Sequence, residues 1–247
     1  MEVGRLVYEG KAKSLYEHPE EDDLLVMEFR DDITAFDMEK VDRVEGKGVC
    51  NCLISARLFE VLEDEGVPTH YVELVDERRM VVERLDMFKL EVICRNIATG
   101  SLVRRLPFEE GEELDPPIVE FDYKSDEYGD PMVNLDHIRA LGLASEEEVE
   151  RMRELTLRVN EVLSGFLEER GILLVDFKLE FGVNPDGEIV VGDEISPDTC
   201  RFWDAETRES LDKDIFREDK GDVLAGYLEA ARRILEGDEE KLAMLPG

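Results

Sequence analysis

Apolar and charged residues alternate with period two along residues 173–182, and this pattern predicts a β-strand. The alternation places Asp176, Lys178 and Glu180 on one face of the strand and apolar side chains on the other. A half-buried strand usually carries neutral polar groups on its solvent face, whereas this strand carries an acid, a base and an acid. Such a row suits a site that holds a divalent cation and a phosphate together, because carboxylates bind the metal and an ammonium group binds the anion.

A second strand is predicted after the turn signal Asn-Pro-Asp-Gly at residues 184–187, so the two strands should form an antiparallel hairpin. With the proline and aspartate at the centre of the turn, the register places Asp193 opposite Lys178. Asp176 and Glu180 then lie diagonal to Asp193, and three carboxylates surround one lysine on a single sheet face. The alternative is a solvated face of alternating charge in an acid-rich chain.

The rest of the pattern predicts an α+β fold. Short strands are predicted at residues 6–8, 12–16, 24–29, 69–74, 80–85 and 90–96. Helices are predicted at residues 49–64, 145–170 and 222–235, with Ser145 and Glu148 forming a capping box at the start of the second. Residues 109–117 are expected to form a surface loop. We therefore predict a small N-terminal antiparallel β lobe, residues 1–88, packed on a larger mixed α/β lobe, residues 89–247.

The charge of the chain restricts its partners. Its 63 acidic and 30 basic residues give a net charge of -33, which argues against a nucleic-acid or anionic-membrane partner. The hydrophobic content of 43% excludes a disordered chain. Because the surface repels anions, any anion site must concentrate cations locally or borrow them from a metal. The scarce lysines are therefore informative, and four of them lie in or near motifs: Lys11, Lys13, Lys124 and Lys178.

The cysteines indicate a reducing compartment, and the histidines argue against histidine-based catalysis. The four cysteines have no disulfide-framework spacing, and no signal peptide or transmembrane run is apparent. We therefore expect a cytoplasmic protein with reduced thiols. The three histidines are distant from one another and from the motifs, which argues against histidine-based chemistry. We also expect a homo-oligomer, whose subunit number the sequence does not give.

A glycine turn is predicted between the first two strands. Gly10 would allow the backbone to approach a ligand closely, and Lys11 and Lys13 would share one strand face directed at anionic oxygens. The alternative is an exposed hairpin with two solubilising lysines.

A second anion pocket is predicted where an apolar strand meets the turn Thr99-Gly100-Ser101. The turn should open a short helix whose first amides, together with the Ser101 hydroxyl, face an anion, with Arg95 as a bidentate partner. The alternative is that Ser101 is a simple N-cap and that Arg95 forms a structural ion pair.

Five motifs occur in the order found in the SAICAR synthetase family, and the resemblance extends along essentially the whole chain. They are Gly10-Lys-Ala-Lys13, Arg95-x-x-x-Thr-Gly-Ser101, Asp130-Pro-Met-Val133, Leu174-Val-Asp-Phe-Lys-Leu-Glu-Phe-Gly182 and Gly192-Asp-Glu-Ile-Ser-Pro-Asp198. Two departures are Lys89, where the family usually has proline, and the segment 34–37, Thr-Ala-Phe-Asp, where the family often has Ser-Ala-x-Asp. The second departure keeps both the hydroxyl and the carboxylate.

The resemblance implies an ATP-dependent ligase of purine biosynthesis. Such an enzyme joins L-aspartate to the carboxylate of carboxyaminoimidazole ribonucleotide and cleaves ATP to ADP and phosphate, with Mg²⁺ as cofactor. Its nucleotide cleft resembles those of ATP-grasp enzymes and protein kinases. Two other classes stay open, a small-molecule kinase and a nucleotide-binding regulator without turnover.

The resemblance also implies roles for particular residues. The expected nucleotide-binding residues are Lys11, Ala12, Lys13, Leu15, Leu24, Val82, Met87, Lys124 and Glu180, of which the four apolar ones from Leu15 to Met87 would enclose the adenine. The expected Mg²⁺ ligands are Glu180 and Asp193. The expected ribonucleotide-binding residues are Arg95, Ser101, Asp130, Lys178, Asp198 and Arg201. The candidate catalytic residues are Lys178 and Asp176, with Lys178 stabilising the transferred phosphoryl group.

Overall fold

The computed structural model describes residues 3–36 and 38–247. Its first sheet is antiparallel and five-stranded, in the order β1-β2-β3-β7-β6. The strands are β1 (Leu6–Glu9), β2 (Lys13–Glu17), β3 (Leu24–Phe29), β6 (Tyr71–Asp76) and β7 (Arg79–Glu83). Between β3 and β6 the chain forms a two-stranded hairpin, β4 (Asp32–Ala35) and β5 (Lys40–Arg43), and then helix α1 (Lys47–Asp64).

The second sheet is antiparallel and six-stranded, and the long strand β11 (Ile172–Val183) is its axis. One edge of β11 pairs with β8 (Asp86–Ile97). Its other edge pairs with two short strands in succession, β13 (Cys200–Asp204) along its first half and β12 (Ile189–Gly192) along its second half. Beyond β8 lie β9 (Glu113–Tyr123) and β10 (Met132–Val133).

Helices cover one face of each sheet. Helix α1 contacts β3, β6 and β7, and 13 of its 18 residues are buried, because it is apolar on almost all sides. Helix α4 (Glu146–Glu168) packs on β8 and β11 through a stripe at helical spacing: Met152, Leu155, Val159, Val162, Leu163 and Leu167. The other helices are α2 (Ser101–Arg105), α3 (Leu135–Leu141), α5 (Asp214–Arg217), α6 (Val223–Ile234) and α7 (Glu239–Leu242).

The structure confirms the mixed α+β class with antiparallel sheets. The helices predicted near residues 49, 145 and 222 are present, and Ser145 and Glu148 form the capping box at the start of α4. The predicted surface loop at residues 109–117 is wrong in its second half, because β9 begins at Glu113. Pro116 and Pro117 fit in this strand because β10 pairs only with Phe121 and Asp122, so the outer edge of β9 is unpaired at the prolines. No helix in the described ranges is long and apolar enough to cross a membrane.

The predicted hairpin is present, but its register differs by one residue. Glu180 pairs with Gly192, so position 194 rather than Asp193 is level with Lys178. The cause is a longer turn: the N–H of Asn184 donates to the carbonyl of Glu188, and Gly187 has φ 83°, which glycine adopts without strain. The predicted placement of Asp193 opposite Lys178 is therefore wrong.

Candidate active site

The face of the second sheet opposite α4 carries charged side chains on three neighbouring strands. Directly paired residues share a face, and this face contains three cross-strand rows. The rows are Asp176–Arg95–Ile118, Lys178–Ile93–Glu120 and Glu180–Glu91–Asp122. A cavity of about 370 Å³ lies against this face and includes residues from the β4–β5 hairpin, from segment 198–201 and from α5. The acid-base-acid row of β11 is therefore one side of a larger charged surface.

Lys178 is enclosed by carboxylates. Its Nζ lies 2.5 Å from Oε1 of Glu91 and 3.7 Å from Oε1 of Glu180. Burial alone would lower the pKa of Lys178, but the carboxylates of Glu91, Glu180 and Asp193 outweigh burial and hold the pKa above its ordinary value. Lys178 is therefore a fixed positive charge, suited to stabilising an anion and unsuited to acting as a base.

Two guanidinium groups converge on Asp176. Arg95 donates to it at 3.1 Å and Arg201 at 2.8 Å. Arg95 also donates to Glu120 and to the hydroxyl of Ser101, both at 2.9 Å. The structural ion pair foreseen for Arg95 is thus present, whereas Ser101 is not the N-cap of α2, because that position is Gly100.

Gly100 is required by the close approach of Arg201. A Cβ atom at this position would lie 2.6 Å from Nη2 of Arg201, and the backbone has φ 58°. Only glycine allows both the conformation and the contact. The structure therefore brings Arg95, Ser101 and Arg201 together around Asp176, and Arg95 and Arg201 line the cavity.

Lys13, at the start of β2, connects the two sheets. Its Nζ lies 2.6 Å from a carboxylate oxygen of Asp193 and 2.6 Å from one of Glu194. Asp193 leaves strand β12 with φ 57°, which is how it joins the charged face despite the shifted register. Lys124 forms an ion pair with Glu180.

Glu180 and Asp193 have unlike environments. Burial, and then the charge of Asp193, raise the pKa of Glu180. Burial would also raise the pKa of Asp193, but Lys13 and the neighbouring lysines hold it below its ordinary value. The two carboxylates are close enough to repel each other, so the pair favours a nearby cation.

Lys11 and Lys13 do not share a strand face, contrary to the prediction. Strand β2 begins at Lys13, whereas Lys11 and Ala12 lie in the bend before it. Lys11 lines the cavity, and its Nζ lies 3.0 Å from Asp126. The bend is held by Arg30, which the sequence analysis did not identify: its guanidinium donates to the carbonyl of Gly10 at 2.6 Å.

The four residues expected to enclose adenine are not on one surface. Leu15 and Val82 lie on the same face of the first sheet, but Leu24 lies on the opposite face, because its neighbour Leu25 pairs with Val82. Met87 is 40% exposed and lies in the second sheet, paired with Gly182. The structure brings Leu24 together with neither Leu15 nor Val82.

Asp198 is held by two side chains that sequence reasoning missed. Lys47 and the hydroxyl of Tyr227 both donate to it at 2.6 Å. Burial would raise the pKa of Asp198, but the charges of Lys47 and Lys213 keep it well below its ordinary value. Lys47 and Tyr227 come from two different helices, so no local pattern could have identified them.

Three further residues that line the cavity are Asp130, Asp122 and Thr34. Asp130 lines the cavity as expected and accepts a hydrogen bond from the N–H of Ser125 at 2.7 Å. Asp122 was missed, although the alternation of Glu120 and Asp122 along β9 is a signal for it. Burial raises the pKa of Asp122 to about 6. Thr34 lines the cavity, while Asp37 of the same motif lies outside the described residues.

Asp212, beside the cavity, is fully buried. It accepts hydrogen bonds from the N–H of Phe202 at 2.9 Å and of Asp214 at 2.7 Å. Burial, and then the charge of Asp214, raise the pKa of Asp212 to about 7. Between about pH 4 and about pH 7, this carboxyl is therefore protonated in the folded protein and ionised in the unfolded chain.

This proton predicts a pH-dependent stability. Because the folded pKa of Asp212 is raised, its contribution is complete below the unfolded pKa, about 4, and is lost as pH rises towards about 7. As pH rises through that window, we expect this group to lower the free energy of unfolding by up to about 1.4 kcal/mol per pH unit. Urea unfolding of Asp212→Asn should lack this component, while Asp22→Asn, at an exposed position, should retain it. A difference between Asp212→Asn and wild type that is constant from about pH 4 to about pH 7 would contradict the assignment.

Comparisons with known proteins identify the family of this chain. The family model for SAICAR synthetase matches residues 6–234. A phosphoribosylaminoimidazole-succinocarboxamide synthase of Methanopyrus kandleri is 87% identical over 247 residues, which cover 100% of both chains. The protein of the same name from Pyrococcus abyssi is 55% identical over 94% of this chain and 98% of its own.

Solved structures share the fold. A SAICAR synthetase in complex with ADP has a TM-score of 0.90 and 52% identity, covering 94% of this chain and 98% of its own. The phosphoribosylaminoimidazole-succinocarboxamide synthase of Ehrlichia chaffeensis has a TM-score of 0.89 and 37% identity, covering 98% of this chain and 100% of its own. From the extent and identity of these matches, the chain belongs to the SAICAR synthetase family.

Proposed function

We infer that this protein joins L-aspartate to the carboxylate of carboxyaminoimidazole ribonucleotide, producing SAICAR, ADP and phosphate in purine biosynthesis. The observation that carries the inference is the charged sheet face. It holds Lys178 as a fixed cation between the carboxylates Glu180 and Asp193 on one side and the guanidinium groups of Arg95 and Arg201 on the other. This arrangement suits phosphoryl transfer between two anionic substrates.

The reaction requires activation of a carboxylate, because oxide is a very poor leaving group. The carboxylate oxygen of the ribonucleotide attacks the γ-phosphorus of ATP, and the bond from that phosphorus to the bridging oxygen of ADP breaks. The amine of aspartate then attacks the carbonyl carbon of the acyl phosphate, loses a proton and expels phosphate. Lys178 would stabilise the negative charge of the phosphoryl group in transit, and Asp176 would hold Arg95 and Arg201 in place beside it.

We assign the nucleotide to the part of the site around Lys13, Glu180 and Asp193. Lys11, the Ala12 backbone, Lys13 and Lys124 would contact its phosphates, and Leu15, Val82 and Met87 would contact the adenine. Leu24 is the weakest of the expected contacts, because it lies on the other face of the sheet. The proposed cleft resembles that of ATP-grasp enzymes and kinases and lies between lobes 1–88 and 89–247. The boundary between these lobes falls within β8.

We assign Mg²⁺ to Glu180 and Asp193. The described residues contain no group of three or more His, Cys, Asp or Glu side chains arranged for a metal ion. Two carboxylates nevertheless fit Mg²⁺, which commonly takes one or two from the protein and its remaining ligands from phosphates and water. The mutual repulsion of Glu180 and Asp193 supports this assignment. When bound, the ion would neutralise charge on the phosphates.

We assign the ribonucleotide to the part of the site around Arg95, Ser101 and Arg201. These groups come within hydrogen-bond distance of one another or of the shared Asp176, and they would bind its phosphate. Asp130 and Asp198 would contact its polar groups.

Replacing Arg201 by alanine tests this assignment. We expect the KM for the ribonucleotide to rise by roughly 10²-fold, because a desolvated guanidinium–anion pair is lost, while the KM for ATP changes little. Arg208→Ala is the matched control, since Arg208 is exposed and its ion pair is with Glu113. An equal rise in both KM values would contradict the assignment of Arg201 to the ribonucleotide. Arg95→Ala should act in the same direction, with an added loss of stability because the buried Glu120 would keep only Arg105 as its partner.

The reaction itself is tested by incubating the protein with ATP, carboxyaminoimidazole ribonucleotide and L-aspartate and by following the absorbance of the succinocarboxamide product. ADP release that depends on aspartate supports the ligase. ADP release without aspartate, accompanied by a stable phosphorylated product, would instead identify a small-molecule kinase.

The proposal includes a cytoplasmic location and a homo-oligomeric state. The substrates are small phosphorylated or charged molecules, and the net charge of -33 disfavours nucleic acid and anionic membranes as partners. Light scattering during gel filtration would measure the oligomeric state.

A further inference from the structure

One cation of the cavity differs from its neighbours. Lys178, Arg95, Arg201 and Arg217 each form an ion pair with at least one carboxylate that is itself buried or nearly so. Lys11 pairs with the exposed Asp126. Lys213 also lines the cavity, yet within residues 3–36 and 38–247 its ammonium group has no hydrogen bond and no ion pair. In a chain with a net charge of -33, a lysine without a carboxylate partner in a recessed position requires an explanation.

The carboxylates near Lys213 are already bound by other groups. Glu194, which acts on Lys213 electrostatically, is bound by Lys13 and by the hydroxyl of Ser196. Asp198 influences Lys213 electrostatically, but Lys47 contacts one of its oxygens and Tyr227 contacts the other. Asp214, the next residue, binds Arg201 and Arg217, each at 2.6 Å. The neighbouring acids therefore leave the positive charge of Lys213 available to a ligand.

The backbone of Lys213 is also held in place by hydrogen bonds. Its N–H donates to the carbonyl of Pro197 at 3.1 Å, and its own carbonyl accepts from the N–H groups of Phe216 and Arg217, both at 3.0 Å. Burial lowers the pKa of Lys213, since the nearby Asp198 only partly compensates for lost hydration. A desolvated ammonium on a rigid backbone gains more from a bound anion than an exposed lysine does.

The proposed function requires one more anion site than its assignments so far provide. ATP is assigned to the part of the site around Lys13, and the ribonucleotide phosphate to Arg95, Ser101 and Arg201. The amino-acid substrate carries two carboxylates and has no assigned cation. Building on that proposed function, we propose that Lys213 binds a carboxylate of L-aspartate and thereby selects an acidic amino acid as the nucleophile.

The first test measures KM values for Lys213→Met, which removes the charge and keeps most of the length. We expect the KM for L-aspartate to rise by roughly 10²-fold, while those for ATP and the ribonucleotide stay within about a factor of two to three of wild type. Lys213→Arg should recover part of the loss. Lys220→Met is the matched control, because Lys220 lies outside the cavity and pairs with the exposed Glu218. A rise in the KM for the ribonucleotide, or no change in any KM, would overturn the proposal.

The second test compares two neutral analogues with aspartate, the side-chain amide L-asparagine and the α-amide L-isoasparagine. In wild type both should react less efficiently than aspartate. In Lys213→Met the preference for aspartate over one of them should collapse, and that amide identifies the carboxylate that Lys213 binds. If Lys213→Met still prefers aspartate over both amides by the same factors as wild type, the role is refuted, because Lys213 would then contact neither carboxylate.

The controls separate this inference from the function on which it rests. Absence of product from wild type with all three substrates would refute the proposed function, whereas an active wild type with an unchanged Lys213→Met variant would refute only the role of Lys213. Melting temperatures identify variants that fail to fold. If Lys213→Met is one of these, Lys213→Gln with the same two measurements replaces it.

Discussion

Lys178→Met is expected to lower turnover by roughly 10³-fold, at the upper end of the loss of one preorganised charge stabiliser, while Mg-ATP still binds. The structure supports a large effect because Lys178 is a permanent cation in the middle of the charged sheet face, held by Glu91 and Glu180. Its Nζ contacts two acids, and the flexible lysine side chain would let the ammonium group turn to a phosphoryl oxygen while the strand stays in place. The measurement pairs a turnover assay with calorimetric titration of Mg-ATP.

A purely structural role for Lys178 predicts something different. The row Glu180–Glu91–Asp122 would then lose its balancing charge, stability would fall, and Mg²⁺ would restore much of it while turnover persisted. Thermal melts with and without Mg²⁺ separate the two roles, with Lys220→Met as the control. Near-wild-type turnover in Lys178→Met would contradict the catalytic role, whether or not the melting temperature changes.

The second large effect concerns the two carboxylates proposed as Mg²⁺ ligands. Glu180→Gln and Asp193→Asn should each weaken Mg²⁺ binding in the presence of ATP and lower turnover by roughly 10²–10³-fold. Each change removes a charge and keeps the shape, so the fold should persist. Lys124 would lose its ion pair in the first variant and Lys13 one of two in the second, so a modest loss of stability is expected as well.

The matched control is Glu188→Gln, in the same hairpin but exposed at its tip. Turnover is measured over a range of Mg²⁺ concentrations, and the two variants should need more of the ion to reach half their maximal rate. If either variant keeps the wild-type Mg²⁺ dependence at limiting concentrations, that residue is not a ligand.

The structure also explains where prediction from the sequence is reliable. The alternation along residues 173–182 correctly assigned Asp176, Lys178 and Glu180 to one face, and the Ser145 capping box correctly located the start of α4. Both features depend on neighbours within a few positions, since side-chain direction in a strand has period two and an N-cap is local. The resemblance to SAICAR synthetase indicated the reaction and its substrates, which such local patterns alone left open.

The predicted register of the hairpin was wrong by one residue, and the cause is the turn. The turn signal was recognised, but whether its glycine counts as a turn residue depends on which backbone hydrogen bonds close the loop. The closure at Asn184 and Glu188 moved Asp193 by one position, and a one-residue slip reverses the face on which a side chain lies. Asp193 reaches the charged face only through its left-handed backbone.

By itself, then, the sequence determined the faces of its strands, the positions of its main helices, its net charge and the order of its family motifs. Tertiary structure alone decided which of those residues meet. Lys13 reaches Asp193 and Lys47 reaches Asp198 over separations of 180 and 151 residues, and Lys213 lines the cavity with no ion pair to any acid among the described residues. The physical reason is that local patterns report only which way a side chain points, whereas a contact between distant segments depends on how sheets and helices pack and which charges burial leaves unpaired.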